Sequence, residues 1–148
     1  MTKLYIYNER QQAADNTQKQ IANFLFRHLE QYGDPEPDIQ KAIDYALGKN
    51  HSPGGIIITA EDSVTGEMTG CVVLNKTGMQ GYIPEYILVY IATDKKQRGK
   101  GIGKQLMQKA IETADGDIAL HCEPDNPARH LYEKLGFTSK YLEMRLKK

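Results

Sequence analysis

Three glycines on alternate positions, Gly99, Gly101 and Gly103, lie in the segment KKQRGKGIGK, from Lys95 to Lys104. Lys95, Lys96, Arg98, Lys100 and Lys104 surround them. Glycine lets successive backbone N–H groups turn inward with no Cβ in the way. An amphipathic pattern starts at once and runs to about Ala114. The first N–H groups of such a helix lack intrahelical acceptors and carry the positive end of its dipole. The combination is an anion cradle suited to a phosphate or pyrophosphate, with local positive charge to attract it. Glycine also serves ordinary strand-to-helix turns, so the loop by itself leaves that plainer reading open.

The loop fails two nucleotide patterns. A P-loop needs GxxxxGK[ST]; here Gln105 follows Gly103-Lys104, and Arg98 stands where the first glycine should be. A dinucleotide fingerprint needs GxGxxG, and here the third glycine comes one residue early. A second block, DNPARHLYEKLGF over 125–137, follows one strand later. It reads as a short helix carrying Tyr132, with Asn126 as N-cap, Pro127 at the first turn and Gly136 past its end.

Arg98-Gly99-Lys100-Gly101-Ile102-Gly103 resembles the [QR]-x-x-G-x-[GA] signature of the GNAT acetyltransferase superfamily, and the second block resembles that family's short helix ending at Gly-Phe. The likeness is specific over about residues 85–137. It implies acetyl transfer from acetyl-CoA to a primary amine of a small molecule or peptide by direct attack. It implies that Gln97, Arg98, Gly99, Lys100, Gly101, Ile102, Gly103 and Lys104 hold the pyrophosphate. The backbone of Ile91, Ala92 and Thr93 would pair with the pantetheine arm, as an added strand does, with the Ile91 N–H polarising the thioester carbonyl. Thr93 stands where relatives usually carry an aliphatic residue. Tyr132 falls at the general-acid position and would protonate the departing thiolate; its alternative is simple ring packing. Asn126, or Asp125 beside it, would give a polar contact to CoA, and capping the helix is an equally physical role for Asn126. The strand positions where relatives carry a basic glutamate hold Ile87 and Val89. Glu85 is the candidate base, with Glu123, Asp94, His121 or a chain of water as others. A catalytically silent acetyl-CoA-binding regulator is the second function these residues allow.

These groups need a scaffold. Alternating or β-rich runs predict strands over 3–8, 56–59, 67–75, 85–93, 117–121 and 141–146; helical spacing predicts helices over 15–32, from the GDPEP break to Gly48, from the glycine loop to Ala114, and over 125–136. The order β-α-α-β-β-β-α-β-α-β is α/β, with a hairpin in the first half and strand–helix alternation in the second. The resemblance implies a mixed, mostly antiparallel sheet of six to seven strands flanked by about four helices. Only TSKYLEMRLKK follows Phe137, so a short sixth strand and one edge strand are expected there, with the acceptor pocket and a homodimer contact dependent on that end. The connection 29–40 and the loop 75–86 are the segments expected to shape the acceptor site, with Tyr32, Tyr82, Tyr86, Asp34, Glu36 and Glu85 as candidates to receive a small cation.

The length of 148 residues suits one domain, 1–148, and 40% hydrophobic residues suffice for a core. Lysine plus arginine equal aspartate plus glutamate, 19 each, so the general basic excess of a nucleic-acid binder is missing. No apolar run suggests a membrane span or a signal peptide. Cys71 and Cys122 lie far apart and outside any metal-ligand spacing, and His28, His51 and His130 show none either. The expectation is a cytoplasmic protein with reduced thiols, no metal, no membrane and no nucleic-acid partner.

Overall fold

A computed structural model describes all residues, Met1–Lys148. The elements run β1 Thr2–Tyr7, α1 Asp15–His28, α2 Glu36–Ala46, β2 Gly55–Asp62, β3 Met68–Lys76, β4 Tyr86–Thr93, α3 Ile102–Thr113, β5 Ile118–Leu120 and α4 Ala128–Lys134. The five strands lie in sequence order, β1-β2-β3-β4-β5. The first four pair antiparallel and β5 joins β4 parallel. A parallel neighbour needs a crossover, and α3 supplies it. No helix is long and apolar enough to cross a membrane.

The sheet is covered on both faces. Ile21, Phe24 and Leu25 of α1 and Ile39 and Ile43 of α2 pack on Ile57, Cys71 and Val73 on one side. Ile102, Leu106, Met107 and Ala110 of α3, with Tyr132 of α4, pack on Ile56, Ile58, Val72 and Leu74 on the other. Successive residues of β2 and β3 therefore bury opposite faces, which explains why both read as continuous apolar runs.

Two expectations change. The first helix stops at His28, because Glu30 takes a left-handed backbone (φ 56°) and a 3-10 turn, Glu30–Tyr32, replaces the last helical turn. The second helix begins at Glu36, within the expected GDPEP break. The strand expected over 141–146 does not form, so the sheet has five strands rather than six or seven. Leu142, Met144 and Leu146 alternate with charged residues as a strand would, yet each is more than 80% exposed. The last backbone hydrogen bond of the chain runs from the Phe137 N–H to the Tyr132 carbonyl, at 3.0 Å. Strand-like alternation is local, whereas a strand exists only with a partner to share its hydrogen bonds.

Candidate functional site

The loop before α3 is built to leave N–H groups free. Asp94 caps the 3-10 turn Lys95–Gln97, its carboxylate accepting from the Lys96 N–H at 2.9 Å. Gly99 (φ 85°) and Gly101 (φ 78°) then take left-handed conformations that residues with a Cβ rarely adopt. A Cβ placed on either would meet no protein atom within 4 Å, so these glycines serve backbone geometry and leave open space above the loop. The first backbone bond of α3 is from the Gln105 N–H to the Gly101 carbonyl, 3.0 Å. None of the N–H groups of residues 99–104 has an acceptor within the protein, and no side chain caps the helix. Ile102 is 5% exposed and anchors the loop to the core. Lys100 bonds the Gln97 side chain at 2.9 Å.

Arg98 is held by a residue far away in sequence. Its guanidinium lies 3.1 Å from the Glu30 carboxylate, and Lys95 lies 3.6 Å from the same oxygen. The Arg98 hydrogen bond is the main cause holding the Glu30 carboxyl below its ordinary range. Glu30 thus places an anion beside the cradle and competes for its cations. Glu30→Gln is expected to tighten binding of an anionic ligand there about two- to fivefold at low salt, as exposed pairs allow, and the gain should fade as salt rises. Calorimetry against acetyl-CoA at two ionic strengths checks both points.

β4 ends at this loop and carries an irregularity. Val73 pairs with Tyr90 and Leu74 with Leu88, which leaves Val89 as an extra residue. A bulge bends its strand and shifts everything beyond it by one face. Tyr86 and Leu88 accordingly pack with α3, whereas Tyr90 and Ala92 pack with α1 and α2. On its other side, β4 pairs with β5 only at Tyr86, Ile87 and Leu88. From Val89 onward that edge has no strand beside it. The Asp94 N–H bonds the Thr69 carbonyl at 2.9 Å. By the alternation of a strand backbone, Ala92 also faces β3, and the polar groups of Ile91 and Thr93 face the open edge.

α4 closes the remaining side. A Cβ on Gly103 would lie 3.4 Å from Leu131 and 3.8 Å from Thr93, so α3, α4 and the end of β4 converge at this glycine. Tyr132 is 6% exposed and its ring lies against Phe137, centroids 5.9 Å apart. Its hydroxyl has no hydrogen-bond partner in the protein and is not among the fully enclosed polar atoms. Burial, with a smaller effect of Cys122, pushes the phenol up to about 12. Asn126 caps α4, its side-chain oxygen accepting from the Ala128 N–H at 2.9 Å. Asp125, Glu123 and His121 lie exposed on the segment between β5 and α4.

Glu85 is elsewhere. It precedes β4, six residues from Ile91, a strand distance of about 20 Å. Its carboxylate accepts from the Asp117 N–H at 2.7 Å and the Gly81 N–H at 2.9 Å. Those two bonds, Asp117 first, lower its pKa. Glu85, the candidate base, thus stands at the far end of β4 from the glycine loop, where it braces the loop before β4 against the turn before β5. A folded pKa below the ordinary value of 4.5 means that this stabilisation is present above pH 4.5 and is lost as pH falls through the folded value. Glu85→Gln is expected to lower Tm at pH 7 and to narrow the difference in Tm between pH 7 and pH 3; thermal melts at the two pH values check it.

The family model described as "Acetyltransferase (GNAT) family" matches residues 17–137. The chain belongs to the GNAT acetyltransferase family. The GNAT match takes in the glycine loop, the bulged β4 and all of α4, and stops at Phe137, where the backbone hydrogen bonding of the chain stops too. No curated protein sequence matches the chain. Among solved structures, it is similar to the ribosomal-protein-alanine N-acetyltransferase of Brucella melitensis biovar Abortus 2308 (TM-score 0.68, 15% identity, 100% of this chain and 99% of that one). It is similar to AAC(6')-Iy in complex with a bisubstrate analog, CoA-S-monomethyl-acetylneamine (TM-score 0.71, 14% identity, 100% and 98%). It is also similar to a transcriptional regulator from Bacillus halodurans C-125 (TM-score 0.69, 20% identity, 99% and 100%). At such identities the likeness establishes the GNAT fold alone.

Two features of this GNAT site had no signal in the sequence. The bulge at Val89 is invisible because residues 86, 88, 90 and 92 read as one buried face. Glu30 is invisible because 68 residues separate it from Arg98.

Proposed function

We propose that residues 1–148 form one domain that transfers the acetyl group of acetyl-CoA to a primary amine. The observation that carries this reading is the run of unpartnered N–H groups at residues 99–104, set beside a β4 edge that is open from Val89. A pyrophosphate satisfies the first, and an extended amide-bearing arm satisfies the second. Acetyl-CoA has both parts in one molecule.

On this reading Gly99, Gly101 and Gly103 let the backbone approach the pyrophosphate. Arg98, Lys100 and Lys104 add charge, with Gln97 orienting Lys100. Ile91 and Thr93 pair with the pantetheine arm, and the Ile91 N–H stabilises the oxyanion that forms as the amine adds to the thioester carbonyl. Ala92 holds the spacing between them. The C–S bond then breaks, Tyr132 gives its proton to the sulfur, and the proton lost from the amine nitrogen returns through water to the tyrosinate. A phenol kept neutral to about pH 12 holds that proton throughout the ordinary range, and a hydroxyl without a protein partner is free to donate it. Asn126 keeps its amide nitrogen available for a CoA contact while its oxygen caps α4.

The test is calorimetry against acetyl-CoA, ATP and NAD, followed by release of free CoA thiol with a panel of amines. Binding of acetyl-CoA alone with amine-dependent thiol release is expected. Binding of ATP without acetyl-CoA overturns the reading, and acetyl-CoA binding without turnover on any amine leaves a CoA-binding regulator in its place.

A further inference from the structure

Direct attack needs an acceptor site as well as a cofactor site, and the two sheet faces divide the work. Tyr132 and the glycine loop lie on the face covered by α3 and α4. An amine reaching the same carbonyl must come from the face covered by α1 and α2. The polar side chain that β4 presents there, next to Ile91, is Tyr90, turned to that face by the bulge at Val89. Tyr90 is 6% exposed, and its hydroxyl donates to the Asp34 carboxylate at 2.6 Å. Asp34 lies in the exposed connection between α1 and α2. Its other oxygen has no hydrogen bond and no ion pair within the protein.

Three neighbouring carboxylates are otherwise engaged. Glu30 holds Arg98 and Lys95, Asp38 meets Lys41 at 3.6 Å, and Asp94 caps its own turn. Glu36 is exposed at the start of α2, with no bond to β4. Of the carboxylates near the loop end of β4, Asp34 alone is both tied to that strand and half unoccupied; Asp115 accepts from the Tyr86 hydroxyl in the same way, but at the far end of the strand. A carboxylate gripped by a buried phenol is restrained in direction, with one oxygen left toward solvent.

Building on acetyl transfer as the reaction, we propose that Asp34, aimed by Tyr90, is the carboxylate that receives the acceptor's ammonium group and selects cationic primary amines. Asp34 touches the substrate and holds it as the ammonium; the ammonium then loses a proton to water, and the neutral amine adds to the thioester carbonyl. Tyr90 is a positioning residue acting through Asp34. The competing account is structural: the bond merely satisfies a buried phenol and fastens the α1–α2 connection.

Asp34→Asn separates the two. Asparagine still accepts from the Tyr90 hydroxyl and has the same shape, so a structural role predicts no change. The probes are butylamine and neamine, cationic at neutral pH, and hydroxylamine, which is uncharged there. Loss of one charge-assisted contact should raise KM for the cationic probes about ten- to hundredfold. Turnover of hydroxylamine and the Kd for acetyl-CoA should stay within about twofold, because neither involves that charge. Tyr90→Phe should show the same pattern at about threefold, and an unchanged Tyr90→Phe strikes out the aiming role. Equal losses on both kinds of probe, or no loss on either, overturn the proposal while acetyl transfer stands. Failure of the unaltered protein to bind acetyl-CoA, or to acetylate any of the probes, overturns acetyl transfer and the assignment of Asp34 with it.

Discussion

Gly101→Val is expected to abolish measurable acetyl-CoA binding in a protein that still folds. Gly101 sits at φ 78° as the residue before α3, a conformation that costs a residue with a Cβ about 1–2 kcal/mol. Valine, branched at Cβ, stands at the upper end. The strain falls on an exposed loop whose neighbours leave the new side chain unobstructed, since no protein atom lies within 4 Å of the Cβ position. The core therefore has no reason to rearrange. The same open space is where an anion must come close to the N–H groups of residues 99–104. Branches on Cβ occupy it and push the anion outward. Hydrogen bonds to a charged group contribute about 1.5–3 kcal/mol each, so losing two weakens binding by a hundredfold or more. Calorimetry gives the affinity, and a thermal melt gives the stability. Unchanged affinity in a folded Gly101→Val protein would remove the phosphate-cradle assignment. Gly103→Val acts differently: its backbone is helical, and its branches would press on Leu131 and Thr93. It should also lose binding, with a larger fall in Tm.

Tyr132→Phe should leave acetyl-CoA affinity nearly intact and lower kcat about a hundredfold, the lower end of general acid–base contributions. The hydroxyl makes no hydrogen bond within the protein, so its removal deprives no buried partner. The ring remains against Phe137 in the core shared with α3, so Tm should hold. An interaction made only as negative charge grows on sulfur changes kcat and spares ground-state binding. The pH profile gives a second reading. The acid form of Tyr132 persists up to about pH 12, so a limb of the unaltered enzyme's profile near neutrality belongs to another group, and that limb should survive in Tyr132→Phe. Steady-state kinetics across pH, in conditions where chemistry limits turnover, decide the matter. Wild-type kcat throughout would make Tyr132 a packing residue, with the proton reaching sulfur from water or the attacking amine.

The features legible in the chain were those whose physics is local. Alternate glycines, the cations around them and the helix that follows state a backbone conformation within a few residues. Gly99 and Gly101 take the positive φ that only glycine adopts freely, and α3 starts at Ile102. The second block behaved likewise: Asn126 caps, Gly136 (φ 101°) ends α4, and Tyr132 lies on its buried side. The open edge was expected from the family resemblance alone, for Ile91, Ala92 and Thr93; the structure turns Ile91 and Thr93 to that edge and Ala92 toward β3.

Tertiary structure decided whatever depended on a partner distant in sequence. Val89 becomes a bulge only because β3 pairs on both sides of it, and that one extra residue sends Tyr90 to the face opposite Tyr132. Arg98 meets Glu30, and Tyr90 meets Asp34, only because the α1–α2 connection folds over the end of β4. Glu85 looked free in sequence and is spent on two backbone N–H groups from separate loops. The last segment has the alternation of a strand and lies unpaired. A residue's own neighbours set its backbone preference, while hydrogen-bond partners, faces and charges in contact are set by which elements meet, and no short pattern in this sequence records that.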